Sequence, residues 1–204
     1  MPEPRSPDLH GSAPDDSPVA LLLIDLINDL EFEGGDALLE QALRAARCAA
    51  ALRDRAHAAK VPCVYVNDNF GKWQSDFRKL LDHVLGDGVR GQPIAELLAP
   101  NDDDYFVLKP KHSGFFNTSL DLLLEHLGAK TLVLCGVSAD QCVLFTGADA
   151  YMRDYHLVVP SDCIASRDVR YTEEALRQLR DNLHADVRPS SEIDFDELLA
   201  ANQS

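Results

Sequence analysis

The chain has 204 residues, 46% of them apolar and 26% charged, and a formal net charge of −15. A chain of this size buries roughly 70% of its unfolded surface, so a disordered or fibrous protein is excluded. No run reaches the roughly 18 apolar residues of a membrane helix, and the acidity repels nucleic acid and anionic membrane surfaces.

Residues 1–17 hold four prolines and no periodicity, and are expected to form a flexible tail before a single domain at 18–204. Residues 19–26, VALLLIDL, are an apolar run ending in a charge, the pattern of a strand buried on both faces. After Gly34-Gly35, residues 36–59 carry Ala, Leu and Arg at helical spacing. VPCVYVN (61–67) is a second strand, and 73–85 and 93–99 are short helices. Residues 105–108 form a strand, 119–127 a helix and TLVLCGV (131–137) the next buried strand. A helix follows at 139–153, a strand at 156–160 and a helix at 172–183. The last elements are a short strand near 185–187 and a helix at 193–201. This alternation predicts a doubly wound, mostly parallel six-stranded sheet with helices on both faces, a three-layer α/β/α domain. Ligands of such sheets sit beyond the carboxyl ends of the strands, here after Leu26, Asn67, Leu108 and Val137.

Asp25 closes the first apolar run, where a carboxylate loses solvation unless it is paired. A loop-facing cap of the next turn would account for it equally well. Lys109 leaves the strand at 105–108, but Lys111 and His112 follow at once, so the pattern alone does not choose among these cations. In GVSADQCVLFTGADA (136–150), Ser138 and Gln141 have the spacing of a capping box, and Cys142 falls in the first helical turn. There the helix dipole lowers a thiol pKa and makes it nucleophilic. A small buried cysteine is the alternative, and it is the reading for Cys48, Cys63, Cys135 and Cys163. The odd cysteine count, with no CxxC pair, argues against a disulfide framework or zinc knuckle. Reduced thiols and the lack of a signal-peptide pattern lead to the expectation of a cytoplasmic protein. Asp25, Lys109 and Cys142 together would supply a proton carrier, a charge stabiliser and a nucleophile for attack on a carbonyl.

Three segments, ALLLIDLINDL (20–30), KPKHSGFFNTSLDLLL (109–124) and GVSADQCVLFTGADAYMRDYHLVVPSDCIAS (136–166), resemble the isochorismatase-like cysteine hydrolases in order and spacing. The resemblance covers about residues 18–187. It implies a catalytic Asp25, Lys109 and Cys142, with Lys109 chosen because the family's lysine precedes an element that here reads Ser113-Gly114-Phe115. It further implies a cis Val137–Ser138 peptide, an oxyanion hole made by the N–H groups of Ser138 and Cys142, and a homo-oligomer, dimer or tetramer. Family members of the nicotinamidase branch bind a metal through histidines after the second strand. Here that stretch is NDNFGKWQSDF, which keeps Asp68 and has no histidine, so no metal and no cofactor are expected. Isochorismatases proper commonly lack the cysteine, and its presence points to C–N hydrolysis of small amides, carbamoyl compounds or ureides through a thioester. Asn69, Trp73 and Phe115 are candidate substrate contacts. Asp149 reads as a helix-face charge and Asp162 as a structural cap. A vinyl-ether hydrolase and a non-catalytic oligomeric binding protein are the alternatives. A nucleotide-binding domain is disfavoured, since the chain has neither GxGxxG after its first strand nor GxxxxGK[ST].

Overall fold

Six consecutive buried residues, Val19–Ile24, form the first strand (β1) of the computed structural model, which describes residues 16–70 and 76–202. Helix α1 (Gly35–Ala58) follows, then strand β2 (Cys63–Asp68) and helices α2 (Phe77–Gly86) and α3 (Gln92–Leu97). Strand β3 (Tyr105–Lys109), helix α4 (Leu120–Leu127) and strand β4 (Thr131–Val137) come next. A single π-helical turn (Ala139–Val143) leads into α5 (Leu144–Tyr151). Strands β5 (His156–Val158) and β6 (Ile164–Ala165) and helices α6 (Val169–Leu183) and α7 (Phe195–Ala201) complete the described chain.

The strands run in the order β3-β2-β1-β4-β5, and β6 pairs with the carboxyl end of β4. Every strand pairing is parallel. The unbroken apolar runs of β1 and β4 follow from this position, since central strands of such a sheet are covered on both faces. Side chains alternate accordingly. Val19, Leu21 and Leu23 pack with the alanine-rich face of α1 (Ala42, Ala46, Ala49), while Ala20, Leu22 and Ile24 pack with Leu120, Leu124, Val143 and Leu179. The two packed faces make the three-layer α/β/α fold that the alternation predicts. Helix α1 forms because Ala, Leu and Arg favour the helix and its buried positions recur at helical spacing. It stops where Lys60 turns left-handed (φ 58°) ahead of Val61-Pro62.

Four local details differ from the sequence reading. The sixth strand is Ile164–Ala165, whereas the stretch at 185–187 makes only an isolated parallel bridge, Asp186 to Val158, before Pro189. The helix expected at 139–153 is split into the π turn and α5. Helix α6 begins three residues earlier, at Val169, where the Asp168 carboxylate accepts a hydrogen bond from the Arg170 N–H. Ser17 belongs to the fold: its N–H donates to the Leu127 carbonyl at 2.8 Å. Residues 1–15 of the expected tail lie outside the described residues.

Gly136 is the position at which the central sheet tolerates no side chain. It faces Ile24 across the β1–β4 pairing with φ 143°, and a Cβ there would stand 2.1 Å from the Ile24 carbonyl oxygen. Gly136→Ala is therefore expected to destabilise the protein by about 3 kcal/mol or more, as a lower denaturant midpoint in urea. An unchanged midpoint would show that β1 and β4 can separate without loss.

Candidate active site

Three strand ends and one turn converge at the carboxyl edge of the sheet. Asp25 follows β1 in a left-handed conformation (φ 52°), and its N–H donates to the Val66 carbonyl of β2. Lys109 is the last residue of β3, in register with Asp68 of β2. Its ammonium nitrogen is wholly buried and lies 2.7 Å from Asp25 Oδ2 and 3.7 Å from Asp68 Oδ2. The other Asp25 oxygen, Oδ1, accepts the Asp68 N–H at 2.7 Å. Cys142 sits in the π turn after β4, with Sγ 3.4 Å from Lys109 Nζ, the same nitrogen that pairs with the Asp25 carboxylate. The sequence separates these three side chains by up to 117 positions, and the parallel crossovers return them to one point.

The surrounding turns are tied down by polar side chains. The Val137–Ser138 peptide is cis, as the family resemblance implies. Ser138 Oγ donates to Asp140 Oδ1 at 2.5 Å, and Ser166 Oγ donates to the same oxygen at 2.6 Å. The Ser138 hydroxyl is thereby turned toward Asp140, and no capping box forms with Gln141, whose N–H donates to the Ser138 carbonyl instead. On the other side, Ser113 Oγ donates to Asp149, and the Gly114 N–H donates to Thr146 Oγ1 at 3.0 Å. These bonds pin the loop after Lys109 against α5, so Asp149 has a positioning role that its helix-face placement did not disclose. Asp162 is a structural cap, accepting the Ser190 N–H and hydroxyl.

Burial dominates the electrostatics. It pushes the Asp25 carboxyl above its usual range, against the pull of Lys109. Burial also opposes the Lys109 charge, but Asp25, Cys142 and Asp68 together outweigh it and hold the ammonium firmly protonated. The Cys142 thiol is pushed up to about 12, first by burial and then by the Asp25 charge, with Lys109 pulling it back. This reverses the sequence expectation of a lowered thiol pKa. The expectation weighed only a helix start, whereas a buried carboxylate and a π turn surround the sulfur. The resting site is a neutral thiol beside an ion pair, so the thiol can lose its proton only as another group takes it.

A cleft of about 400 Å³ opens over Cys142, walled by Phe32, Leu38 and Phe70 and floored by Asp25, Asp68 and Ser138. Asp68 and Phe70 border it, while Asn69 between them is buried and spends its N–H on the Lys109 carbonyl. Phe115 does not reach the cleft. It is buried in the core with its ring 6.1 Å from that of Tyr155 and 4.7 Å from the Arg153 guanidinium. Gly114 beside it is closely packed, since a Cβ there would stand 2.8 Å from Val66 Cγ1 and 3.0 Å from Leu120 Cδ2. Trp73 lies outside the described residues. His112, one of the two candidates the sequence left open beside Lys109, lines the cleft with Nδ1 3.8 Å from Cys142 Sγ. Phe32 and Leu38 carried no motif and are brought in by the connection from β1 to α1.

Among the described residues, one group of potential metal donors stands together: His57, Cys63 and Asp104, with ligand atoms within 4.8 Å of one another. It lies at the amino ends of β2 and β3, away from the cleft, and His57 Nε2 is 2.8 Å from Asp104 Oδ1. Asp68 is not part of it. No described helix is long and apolar enough to cross a membrane.

Residues 19–191 match the Isochorismatase domain. The chain is 36% identical over 174 residues to YaaI of Bacillus subtilis strain 168, an uncharacterised isochorismatase family protein, covering 85% of this chain and 95% of that one. It is 34% identical over 134 residues to the phenazine biosynthesis protein PhzD of Pseudomonas fluorescens, covering 64% of this chain and 63% of that one. Among solved structures, N-carbamoylsarcosine amidase from Thermoplasma acidophilum superposes with a TM-score of 0.66 at 27% identity, over 86% of this chain and 98% of that one.

Proposed function

The chain belongs to the isochorismatase family of hydrolases, and we propose that it is a cysteine hydrolase cleaving the C–N bond of a small amide, carbamoyl or ureide compound. The observation that carries this reading is the buried set of Asp25, Lys109 and Cys142, with Lys109 Nζ 2.7 Å from the carboxylate and 3.4 Å from the sulfur. The likeness to N-carbamoylsarcosine amidase supports a carbamoyl or amide substrate. A cleft of about 400 Å³ suits a small molecule.

In the proposed reaction, Asp25 takes the thiol proton as Sγ adds to the substrate carbonyl carbon. This coupling answers the high thiol pKa, because no free thiolate has to build up first. Lys109 offsets the charge that passes between carboxylate and sulfur. The N–H groups of Ser138 and Cys142 hold the oxyanion. Collapse breaks the C–N bond, the nitrogen leaves with the proton from Asp25, and a thioester remains on Cys142. Water then releases the acid.

The test is an ammonia-release screen over small amides, N-carbamoyl compounds and ureides, with isochorismate included. Ammonia formed with the wild type and lost in Cys142→Ala supports the reading. Turnover of isochorismate alone would replace it with vinyl-ether hydrolysis. Chelation is expected to leave the ammonia-releasing activity unchanged. A loss of activity reversed by added Zn²⁺ would place a metal in the reaction.

A further inference from the structure

We infer that His112 is a catalytic residue, the general base that brings water onto the thioester. The inference rests on the cysteine-hydrolase reading above and assigns its second half-reaction. His112 Nδ1 is 3.8 Å from Cys142 Sγ, within reach of whatever is bonded to that sulfur. The approach is from the open side: His112 is exposed and lines the cleft, whereas Asp25 and Lys109 are buried. The ring is placed by its neighbours. It packs against Phe145, with centroids 5.6 Å apart, and the next two residues are held to α5 through Asp149 and Thr146. An imidazole in that place has an open path to solvent.

The two half-reactions make opposite demands. Acylation needs a base on the buried side of the resting thiol, and the Asp25 carboxylate, which shares Lys109 Nζ with Sγ, is placed there. Deacylation needs a base where water enters. A water molecule reaching the acylated sulfur arrives through the mouth, past His112. Neutral imidazole is the side-chain base suited to a single proton transfer near neutral pH. The imidazole removes one proton from water as the water oxygen bonds to the thioester carbonyl carbon. The tetrahedral adduct collapses, the C–S bond breaks and the acid departs. The leaving sulfur takes the proton back from the imidazolium. One water is consumed, and both the thiol and the neutral imidazole are regenerated.

The experiment uses p-nitrophenyl acetate, an acyl donor whose leaving group requires no protonation. Release of p-nitrophenol in the first turnover reports acylation, and the steady state reports hydrolysis of acetyl-Cys142. His112→Gln is expected to keep the first turnover and to slow the steady state on the order of 10²-fold. Acetylated enzyme should then accumulate in intact-mass spectra. In His112→Gly, added imidazole should restore the steady-state rate, which a merely structural role would not allow. First-turnover and steady-state rates that fall together, or a steady state unchanged in His112→Gln, would overturn the inference. Wild-type release no faster than that of Cys142→Ala would instead sink the cysteine-hydrolase reading, and the role of His112 with it.

Discussion

Cys142→Ala is expected to lower amide hydrolysis by at least about 10⁴-fold while the protein remains folded. The sulfur is the atom to which the acyl group bonds, and no other described cysteine lines the cleft. Stability should change by no more than about 1 kcal/mol, because a methyl group replaces the thiol at the edge of a cleft, where the surroundings can relax. Cys135→Ala provides the contrast. Cys135 is fully buried in β4, pointing to the opposite core, and its loss should spare activity. Ammonia release and urea melts on both variants separate the two roles. A Cys142→Ala enzyme with the wild-type rate would remove the thioester from the mechanism.

The second large effect concerns stability. Lys109→Ala is expected to cost about 3–5 kcal/mol, since it leaves the buried Asp25 carboxylate without its cation. The loss should depend on pH. Without Lys109, burial raises the Asp25 pKa further above that of the unfolded chain, so the folded state binds the proton more tightly. Stability of the variant then falls as pH rises from the ordinary carboxylate range through the raised Asp25 value, and part of the loss returns on acidification. The same pair should move the thiol in opposite directions. Lys109→Ala raises the Cys142 titration further and Asp25→Asn lowers it, so iodoacetamide should label the first more slowly and the second faster at mildly alkaline pH. Asp25→Asn should nevertheless lose amide turnover, because its amide cannot accept the thiol proton. Melts at several pH values and labelling rates test both halves. Identical pH dependence in the wild type and Lys109→Ala would separate Asp25 from Lys109 energetically.

The frame of this site was readable in the chain because parallel α/β sheets leave an unusual local record. Buried strands appear as unbroken apolar runs, so a charge at the end of one, such as Asp25 or Lys109, stands out against them. What happens between segments left no such record. The direction of the Cys142 shift depends on a carboxylate 117 positions away and on burial, neither of which the Ser138–Gln141 spacing conveys. The π turn is invisible for a related reason, since one extra residue in a turn does not disturb the helical periodicity that follows. Phe115 was misplaced because an aromatic after a strand can face either core or cleft, and its packing against Tyr155, 40 positions on, is not written in the local sequence. His112 was in view only as one of three neighbouring cations. Its placement depends on hydrogen bonds from Ser113 and Gly114 to a helix more than 30 residues downstream.

The reacting groups and the walls of the cleft come from different kinds of chain. Asp25 and Lys109 are anchored at the ends of hydrogen-bonded strands and Cys142 in a turn tied to β4 and Ser166, whereas Phe32 and Phe70 stand on connections whose length and composition the sheet does not dictate. Mutation can thus remodel the walls without shifting the sulfur relative to its proton acceptor. Descendants of such a frame are free to drift in which molecules they accept while inheriting the bond-breaking apparatus intact. Selection for a new substrate would act first on the β1–α1 connection and on the segment after β2.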